Sequence, residues 1–338
     1  MRALIYGGGA VGLGIASCLI KSGTHIDIIA RADTVGPLQE QGLVRTGIFG
    51  DFTAGTGSFR AFETLDQLPG QPYDFILTCT KSFDSPAAAT DIARHLGLLT
   101  RQGKVVLFQN GWGNAEVFID HFDKEVVYNA RVITGFERSA RNHVKVTVHA
   151  APVHIGSLFG LPRAAVEPLA SAIAEGDIPC RTTDEIEKDL WAKMLFNCTL
   201  NPLGAILDVP YGTLAEHDST RDLMDRIVQE IFAVLRTTGY QTHWTRAAAF
   251  LEVFYSRLVP DTARHRSSTL QDIRTGKRTE IEALNGAVIR LAQAHGLDVP
   301  SNQAVYQLVR FMESHPGRSI TNPSSPLPEG PGDGMILG

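Results

Sequence analysis

Three glycines near the start of the chain have the spacing of a dinucleotide-binding turn. Gly7, Gly9 and Gly12 form the pattern GxGxxG, and an apolar segment follows them. In that pattern the first glycine permits a tight turn, the second lets the backbone approach a pyrophosphate, and the third lets a helix pack on a strand. A helix starting at Ala10 and Val11 would offer N–H groups and the positive end of its dipole to the anion. The motif therefore predicts a dinucleotide site, with a merely structural glycine turn as the alternative.

The end of the second predicted strand bears on the choice of cofactor. NAD-selective sites usually place an acidic residue there, whereas an arginine accommodates the additional phosphate of NADP. Here the strand 25–31 ends in Arg31, and Asp27 lies two positions too early for the acidic role. Arg31 therefore favours NADP(H), although Asp33 would weaken the preference. The alternative is an arginine that simply faces solvent.

Two polar residues directly follow predicted buried strands. They are Lys81 and Asn110, and ligands of open α/β sheets bind outside the carboxyl ends of the strands. A lone loop lysine usually faces solvent, but two such residues on adjacent turns are a stronger indication of a site. Gly111 and Gly113 would let the backbone there approach a ligand closely.

A lysine and two asparagines share one face of an otherwise apolar segment. Lys193, Asn197 and Asn201 lie four residues apart in LWAKMLFNCTLNPL, so a helix stacks them. Polar groups in so apolar a helix need partners, because buried unpaired polar groups are costly. Either they form a site, or the lysine extends to solvent and the asparagines cap or end the helix, with Asn201-Pro202 as the stop.

Two further positions lie in the last third of the chain. Ser267 and Ser268 precede a segment with an N-cap and first-turn pattern. Glu280 begins the predicted helix 278–295 and is a candidate partner for Lys193. The alternative for Glu280 is a first-turn glutamate that serves the helix dipole.

Strands and helices alternate in the first third of the chain, which favours a parallel, doubly wound sheet of the Rossmann type. After residue 125, three strands without intervening helices finish that sheet in mixed or antiparallel fashion. The strands are predicted at 2–6, 25–31, 72–80, 104–108, 126–133, 143–149 and 153–156, and the helices of this part at 10–21 and 85–97.

From residue 184 the chain is predicted to be helical. The fold class is therefore α/β, with an N-terminal Rossmann domain (1–180) followed by an all-helical C-terminal domain (181–314). The remaining residues, 315–338, hold five prolines and five glycines and are predicted to form a tail. The predicted helices are 185–200, 219–238, 243–257, 278–295 and 301–314.

Length, charge and cysteine usage narrow the setting. At about 150 residues per domain, 338 residues suggest two domains. With 31 basic and 36 acidic residues the net charge is −5, which argues against a nucleic-acid partner. The four cysteines lie far apart without a CxxC pair. Neither a metal site nor a disulfide framework is predicted, and a reducing cytoplasm is expected.

An uncharged run near the N-terminus could be mistaken for a membrane segment. Residues 3–20 carry no charge and have about the length of a membrane span or a signal segment. Only one basic residue precedes the run, and three successive glycines interrupt it, which an export helix would normally avoid. A βα unit without membrane contact is therefore the preferred interpretation.

Several segments together resemble the 2-dehydropantoate 2-reductase (ketopantoate reductase) family, from the glycine motif to about residue 314. The matching segments are YGGGAVG, the Thr-Lys pair at 80–81, QNGWGN, DLWAKMLFNCTLNPLGAI and SSTLQDIRTGKRTEIEALNG. The last two are specific, because a Lys-x3-Asn-x3-Asn-Pro helix with a Ser-x3-Asp and Thr-Glu-Ile segment is hard to obtain by chance. Members have a Rossmann domain and a helical domain with the active site between them.

The resemblance implies NADPH-dependent reduction of ketopantoate to pantoate, a step of pantothenate biosynthesis. Lys193 would be the general acid, with Glu280 beside it and the substrate. Hydride delivery to a ketone leaves negative charge on its oxygen, which a nearby ammonium stabilises and then protonates. The glycine motif would hold the pyrophosphate, and Arg31 with Lys81 would meet the 2′-phosphate. Asn110 would lie near the nicotinamide and the substrate, and the residues expected to bind the 2-oxo acid are Asn197, Asn201 and Ser268.

Two departures from the family pattern concern the wall of the substrate pocket. After the strand 126–133 the family usually has a Thr-rich turn, whereas this chain has the bulkier, charged run 133–138 (ITGFER). Where some members carry a substrate-contacting asparagine, this chain has Pro210-Tyr211-Gly212. A related 2-oxo acid reductase or an opine-type dehydrogenase is therefore an alternative, as is a non-catalytic NADPH-sensing protein. The expected partner is a small-molecule 2-oxo acid, and a homodimer is the assembly left open.

Overall fold

The computed structural model describes residues 1–95 and 97–315, in which strands fill much of the first half and helices the second. The strands are β1 Arg2–Tyr6, β2 His25–Ile29, β3 Leu43–Gly47, β4 Phe52–Ala54, β5 Arg60–Phe62, β6 Tyr73–Thr78, β7 Leu99–Leu107, β8 Val127–Arg131, β9 Thr134–Ala140, β10 His143–His149, β11 Val153–Gly156 and β12 Cys180–Thr182. The helices are α1 Ala10–Lys21, α2 Ala32–Gln41, α3 Ser85–Arg94, α4 Asn114–Ile119, α5 Glu167–Glu175, α6 Ile186–Ile206, α7 Tyr211–Leu214, α8 Asp218–Thr238, α9 Ala247–Val253, α10 Val259–Asp261, α11 Ser268–Arg274, α12 Asn285–Ala294 and α13 Pro300–Ser314.

The main sheet has eight strands in the order β12-β11-β8-β7-β6-β1-β2-β5. Strands β8, β7, β6, β1, β2 and β5 are parallel, and β11 runs antiparallel to β8. Successive residues of β1 point to opposite faces, so Ala3 and Ile5 join the core under α1 while Leu4 joins the core under α3 and α4. The predicted doubly wound sheet with an antiparallel finish is confirmed.

A second sheet, in the order β4-β3-β10-β9, lies against α1. The sequence assigned 143–149 to the main sheet, and that assignment is wrong, because β10 pairs with β3 and with the unpredicted strand β9. The packing against α1 is close. A Cβ at Gly14 would overlap the ring of Phe136, so the glycine lets the second sheet approach the helix.

The helix that carries Lys193 is longer than predicted. It was predicted over 185–200 and continues through Pro202 to Ile206, so the alternative in which Asn201-Pro202 stops the helix is wrong. Proline lacks the N–H that would bond to the carbonyl four residues earlier. That carbonyl, on Cys198, accepts instead from Nδ2 of Asn285 at 3.0 Å, so a tertiary contact replaces the missing helical bond.

Two other predicted helices begin later than expected. The segment 278–295 is helical only from Asn285, so Glu280 lies in the turn before α12 rather than in its first turn. In that turn the carbonyl of Ala283 accepts from the N–H of Trp112 at 2.8 Å, a contact with the other half of the molecule. The segment 243–257 is helical from Ala247 and continues through the π-helical stretch Phe254–Leu258 into α10.

Three residues separate the last strand of the main sheet from the helix that carries Lys193. The strand β12 ends at Thr182 and α6 begins at Ile186. The division into domains at 180/181 stays a prediction. The predicted tail falls outside the described residues from position 316 onward. Within the described ranges, no helix is both long enough and apolar enough to cross a membrane.

Candidate active site

The glycine-rich turn connects β1 to α1. A side chain would meet different surroundings at each of its three glycines. Gly7 has φ +118°, and a Cβ there would lie 2.8 Å from the Thr80 nitrogen. A Cβ at Gly12 would overlap the carbonyl oxygen of Gly7. At Gly9 the only described atom within 4 Å of such a Cβ, apart from the adjoining backbone, is the Cys79 oxygen at 3.9 Å. The fold therefore explains Gly7 and Gly12, whereas Gly9 leaves space open beside the N-terminal turn formed by Ala10 and Val11, as a dinucleotide site requires.

The open space at Gly9 gives a prediction that separates ligand binding from folding. Gly9→Ala should weaken binding of the predicted dinucleotide, measured with NADPH, by about tenfold or more, because the added methyl group occupies the approach to the helix N-terminus. The thermal midpoint should move by no more than about 2 °C, because the methyl meets no protein atom closely. Gly36→Ala is the matched control, since no atom of residues 1–95 or 97–315 outside the adjoining backbone lies within 4 Å of a Cβ there, and α2 tolerates alanine. Calorimetric titration and thermal melts measure both quantities, and a large fall in the midpoint would assign Gly9 a structural role.

Asp27, the acidic residue inside β2, is held by residues of other strands. Asp27 is buried and accepts from Nε and Nη2 of Arg60, both at 2.8 Å, and from the Tyr73 hydroxyl at 2.6 Å. Its carboxylate is therefore fully engaged inside the sheet. Arg31 is exposed and directly precedes α2, where the adenosine ribose of a dinucleotide lies in such folds.

Lys193 and Glu280 are brought together through one amide. The Lys193 Nζ donates to Asn110 Oδ1 at 2.5 Å and to the Val132 carbonyl at 2.6 Å. The Asn110 Nδ2 donates to Glu280 Oε2 at 2.9 Å, and Glu280 is 7% exposed. The predicted pairing of Glu280 with Lys193 is therefore indirect. Asn110, at the carboxyl end of β7, orients both groups with the two ends of its side chain.

Lys81 belongs to the same cluster. Its Nζ lies 2.9 Å from Asp272 Oδ2 and 3.4 Å from Glu280 Oε2, while the Ser82 N–H donates to Glu280 Oε1 at 3.2 Å. Lys81 follows β6 and Arg31 follows β2, on opposite sides of β1. The sequence paired these two residues on the 2′-phosphate, and the contacts do not support that pairing, because two carboxylates hold the Lys81 ammonium.

Burial acts on the two central charges in different ways. It lowers the pKa of Lys193 to about 8, with Glu280 opposing the fall and Arg131 adding to it. Burial alone would raise the pKa of Glu280, but Lys81 and the hydrogen-bond donors described above hold that pKa below its usual value. The site therefore contains a carboxylate beside an ammonium that titrates close to neutral pH, which suits proton donation.

A small cleft lies at this cluster between the sheet edge and α6, with room for about one water molecule. It contains Lys193 together with Asn110 and Asn197, two of the residues predicted to bind substrate. The residues that line it are Gln109, Asn110, Gly111, Ala130, Leu190, Lys193, Met194 and Asn197.

The other two predicted substrate residues are placed differently. Asn201 is buried, and its Oδ1 accepts from the Tyr211 hydroxyl. Ser268 is exposed in the first turn of α11, and Ser267 is the residue that caps this helix, since its Oγ accepts from the Leu270 N–H at 2.9 Å. Neither Asn201 nor Ser268 is among the residues that line the cleft.

Gly111, which follows Asn110, lies where the sheet half of the molecule contacts the helical half. Gly111 has φ +89°, and a Cβ there would overlap the Ala283 carbonyl oxygen. The neighbouring Trp112 packs on Trp191 and Tyr240, with ring centroids 4.8 Å apart in both pairs. The sequence predicted that Gly111 lets the backbone approach a ligand. In the structure it lets the loop after β7 approach the helical half.

The charged run 133–138 contacts α1 and the glycine-rich turn. Phe136 packs on Gly14 of α1, and Arg138 donates to the Gly8 carbonyl at 3.1 Å. The sequence analysis placed this run in the wall of the substrate pocket. The contacts of Phe136 and Arg138 are instead with α1 and the glycine-rich turn. Asp272 is a further residue of the site to which the sequence assigned no role, although it stood in the quoted Ser-x3-Asp spacing.

Comparison with known proteins covers most of the chain. The family model described as "Ketopantoate reductase PanE/ApbA" matches residues 3–159, and "Ketopantoate reductase PanE/ApbA C terminal" matches residues 185–313. The 2-dehydropantoate 2-reductase of Aquifex aeolicus is 33% identical over 314 residues, which are 93% of this chain and 97% of that protein. The enzyme of the same name from Pyrococcus abyssi is 27% identical and covers 94% of this chain and 100% of its own.

Solved structures share the fold. The PanE/ApbA family ketopantoate reductase from Ralstonia eutropha JMP134 superposes with a TM-score of 0.80 at 30% identity, covering 93% of this chain and 99% of that one. D-mandelate dehydrogenase, solved with NADH and anilino(oxo)acetate, has a TM-score of 0.82 at 24% identity and the same coverage of 93% and 99%. The likeness to the second protein establishes the fold alone.

Proposed function

The chain belongs to the ketopantoate reductase family, and from that premise we propose that it reduces 2-dehydropantoate to pantoate with NADPH. The observation that carries the proposal is the hydrogen-bonded series Lys193–Asn110–Glu280 beside the cleft. A sensor of NADPH has no need of a proton donor that titrates near neutral pH, so the series favours an enzyme over a non-catalytic protein.

The chemistry follows from the position of the ammonium. The bound nicotinamide would supply a hydride to the ketone carbon of the substrate, which leaves negative charge on oxygen. Lys193 stabilises that charge and donates a proton from Nζ. Asn110 fixes the ammonium by accepting one of its hydrogens, and Glu280 sustains its protonated form by its negative charge. Asn197, one turn along α6 in the same cleft, would donate a hydrogen bond to the substrate.

The preference for NADPH over NADH rests on the end of β2. Exposed Arg31 precedes α2. Asp27, which lies too early in the strand for the acidic role, is held by Arg60 and Tyr73, and Asp33 is paired with Arg141. The open face at Gly9 fits the pyrophosphate of either cofactor. We place the reaction in the cytoplasm, because all four cysteines are free thiols.

A substrate panel tests the proposal. NADPH oxidation should be fastest with ketopantoate, slower with 2-oxoisovalerate, and slowest with benzoylformate and with pyruvate plus an amino acid, and NADH should support a lower kcat/KM. The purified chain is assayed with each acid at equal concentration, following absorbance of the reduced nicotinamide. Binding of NADPH without turnover of any acid would contradict the reductase function.

A related 2-oxo acid reductase is the second candidate, and one contact favours it. The Tyr211 hydroxyl donates a hydrogen bond to Asn201 Oδ1. The family resemblance implies that Asn201 binds the substrate, but here its amide oxygen already has a protein partner. Faster reduction of benzoylformate than of ketopantoate would support this candidate. An opine-type dehydrogenase would instead require the amino acid for turnover with pyruvate.

A further inference from the structure

Arg138 brings a guanidinium group from the second sheet to the glycine-rich turn. It lies on β9, and its Nη1 donates to the Gly8 carbonyl at 3.1 Å. Its Nη2 donates to Thr34 Oγ1 at 3.0 Å and to the Arg141 carbonyl at 2.9 Å. These contacts with described residues use three of the five N–H groups that a guanidinium offers. Arg138 thus joins the turn after β1 to the first turn of α2 and keeps donors for a ligand.

More positive than negative charge gathers at this place. The Arg31 carbonyl accepts from the Thr34 N–H at 2.8 Å. Thr34 is also the residue to which Arg138 donates, so both arginines contact the first turn of α2. Arg141 reaches Asp33 from the turn between β9 and β10, with Nη2 2.9 Å from Oδ2. Three arginines, Arg31, Arg138 and Arg141, therefore lie near the first turn of α2 together with one carboxylate, Asp33.

The arginines also repel one another. Burial lowers the pKa of Arg138, repulsion from Arg141 and Arg31 lowers it further, and Asp33 only partly opposes these effects. A bound anion would relieve that repulsion. A phosphate monoester carries about −1.5 to −2 charges at pH 7, which matches the local excess of two positive charges.

We propose that Arg138, supported by Arg141, completes with Arg31 the site for the 2′-phosphate of NADP, in place of Lys81. The proposal rests on the NADPH-dependent function proposed above and deepens it. The adenosine ribose lies at the end of the second strand in such folds, which is where α2 begins. A planar guanidinium can donate two parallel hydrogen bonds to phosphate oxygens. Lys81 follows β6 on the far side of β1 and is held by Asp272 and Glu280.

Calorimetric titration of the full chain with NADPH and NADH tests this, because the two cofactors differ only in the 2′-phosphate. We expect Arg138→Gln to weaken NADPH binding by about tenfold and NADH binding by less than about twofold. Arg31→Gln should behave in the same way. The matched control is Arg226→Gln, an exposed arginine paired with Asp222 on α8, which should bind both cofactors like the wild type.

The outcomes separate this inference from the proposed function. Equal losses for NADPH and NADH would mean that Arg138 only shapes the glycine turn, and unchanged binding would also overturn the inference. Arg141→Gln leaves the Arg138 contacts with Gly8 and Thr34 in place and should weaken NADPH alone, by about threefold. A wild type without preference for NADPH would overturn the inference together with the proposed cofactor. A wild type that prefers NADPH but reduces no 2-oxo acid would overturn the reductase function alone.

Discussion

Replacing Lys193 with alanine should lower kcat for 2-oxo acid reduction by about a thousandfold, while the affinity for NADPH stays within about threefold of the wild type. The expectation follows from the position of Nζ at the cleft, 2.5 Å from Asn110 Oδ1 and 2.6 Å from the Val132 carbonyl. General acids contribute about 100- to 10,000-fold to the rates that they assist. Among the described residues that line this cleft, Lys193 alone carries an ammonium group. Steady-state kinetics with ketopantoate and calorimetric NADPH binding measure the two quantities.

The control lies on the same helix. Lys188 pairs with Glu185 at the start of α6, and Lys188→Ala should keep wild-type turnover because this pair is at the surface. Turnover of Lys193→Ala within about tenfold of the wild type would contradict the general-acid role. A loss of NADPH binding as large as the loss of kcat would point instead to a distorted site.

Removing the charge of Glu280 should shift the pH dependence of the reduction toward lower pH. The wild-type rate should fall as Lys193 loses its proton, with an apparent pKa of about 8 in the free enzyme. Glu280 raises the pKa of Lys193, so Glu280→Gln should lower it, by about one unit for a charge that acts through one intervening amide. The deprotonated fraction then increases at any pH near 8. kcat/KM should fall by about fivefold at pH 8 and change little at pH 6.

The comparison of two glutamates makes this test specific. Glu282 lies two residues away, is more exposed, and pairs with Arg310 rather than with the cleft, so Glu282→Gln should keep the wild-type pH profile. A Glu280→Gln enzyme whose rate falls equally at all pH values would show that Glu280 only positions its neighbours. An alkaline limb that moves to higher pH would contradict the electrostatic argument.

Local patterns carried the sequence-based prediction of the fold. The glycine turn, α1, and the stack of Lys193 and Asn197 on α6 depend on spacings of a few residues, and the structure has them in place. The helix stop at Pro202 was mispredicted because a side chain remote in sequence, Asn285, takes the carbonyl that proline leaves free. The second sheet was missed because β9, with the sequence TGFERSA, has no regular alternation of apolar and polar residues.

The sequence named several of the residues that meet at the site, but not their arrangement and not the role of Asp272. Lys81, Asn110 and Glu280 were all named, yet only the fold shows that Asn110 lies between Lys193 and Glu280 and that Lys81 neutralises the carboxylate. These contacts join residues between 83 and 199 positions apart in the chain. Arg138 could not be placed because the strand that carries it was missed.

The loop after β7 makes the two halves of the molecule inseparable as building blocks. Trp112, which belongs by sequence to the sheet half, is buried in the hydrophobic core of the helical half, and its N–H bonds to the Ala283 carbonyl. Consider a hybrid that joins the sheet of one relative to the helices of another at positions 182–186. Its Trp112 would come from one protein and the aromatic residues packed on it, Trp191 and Tyr240, from the other. We expect such hybrids to be unstable unless the residues around Trp112 are exchanged with the helices, and the native chain to melt in one cooperative transition.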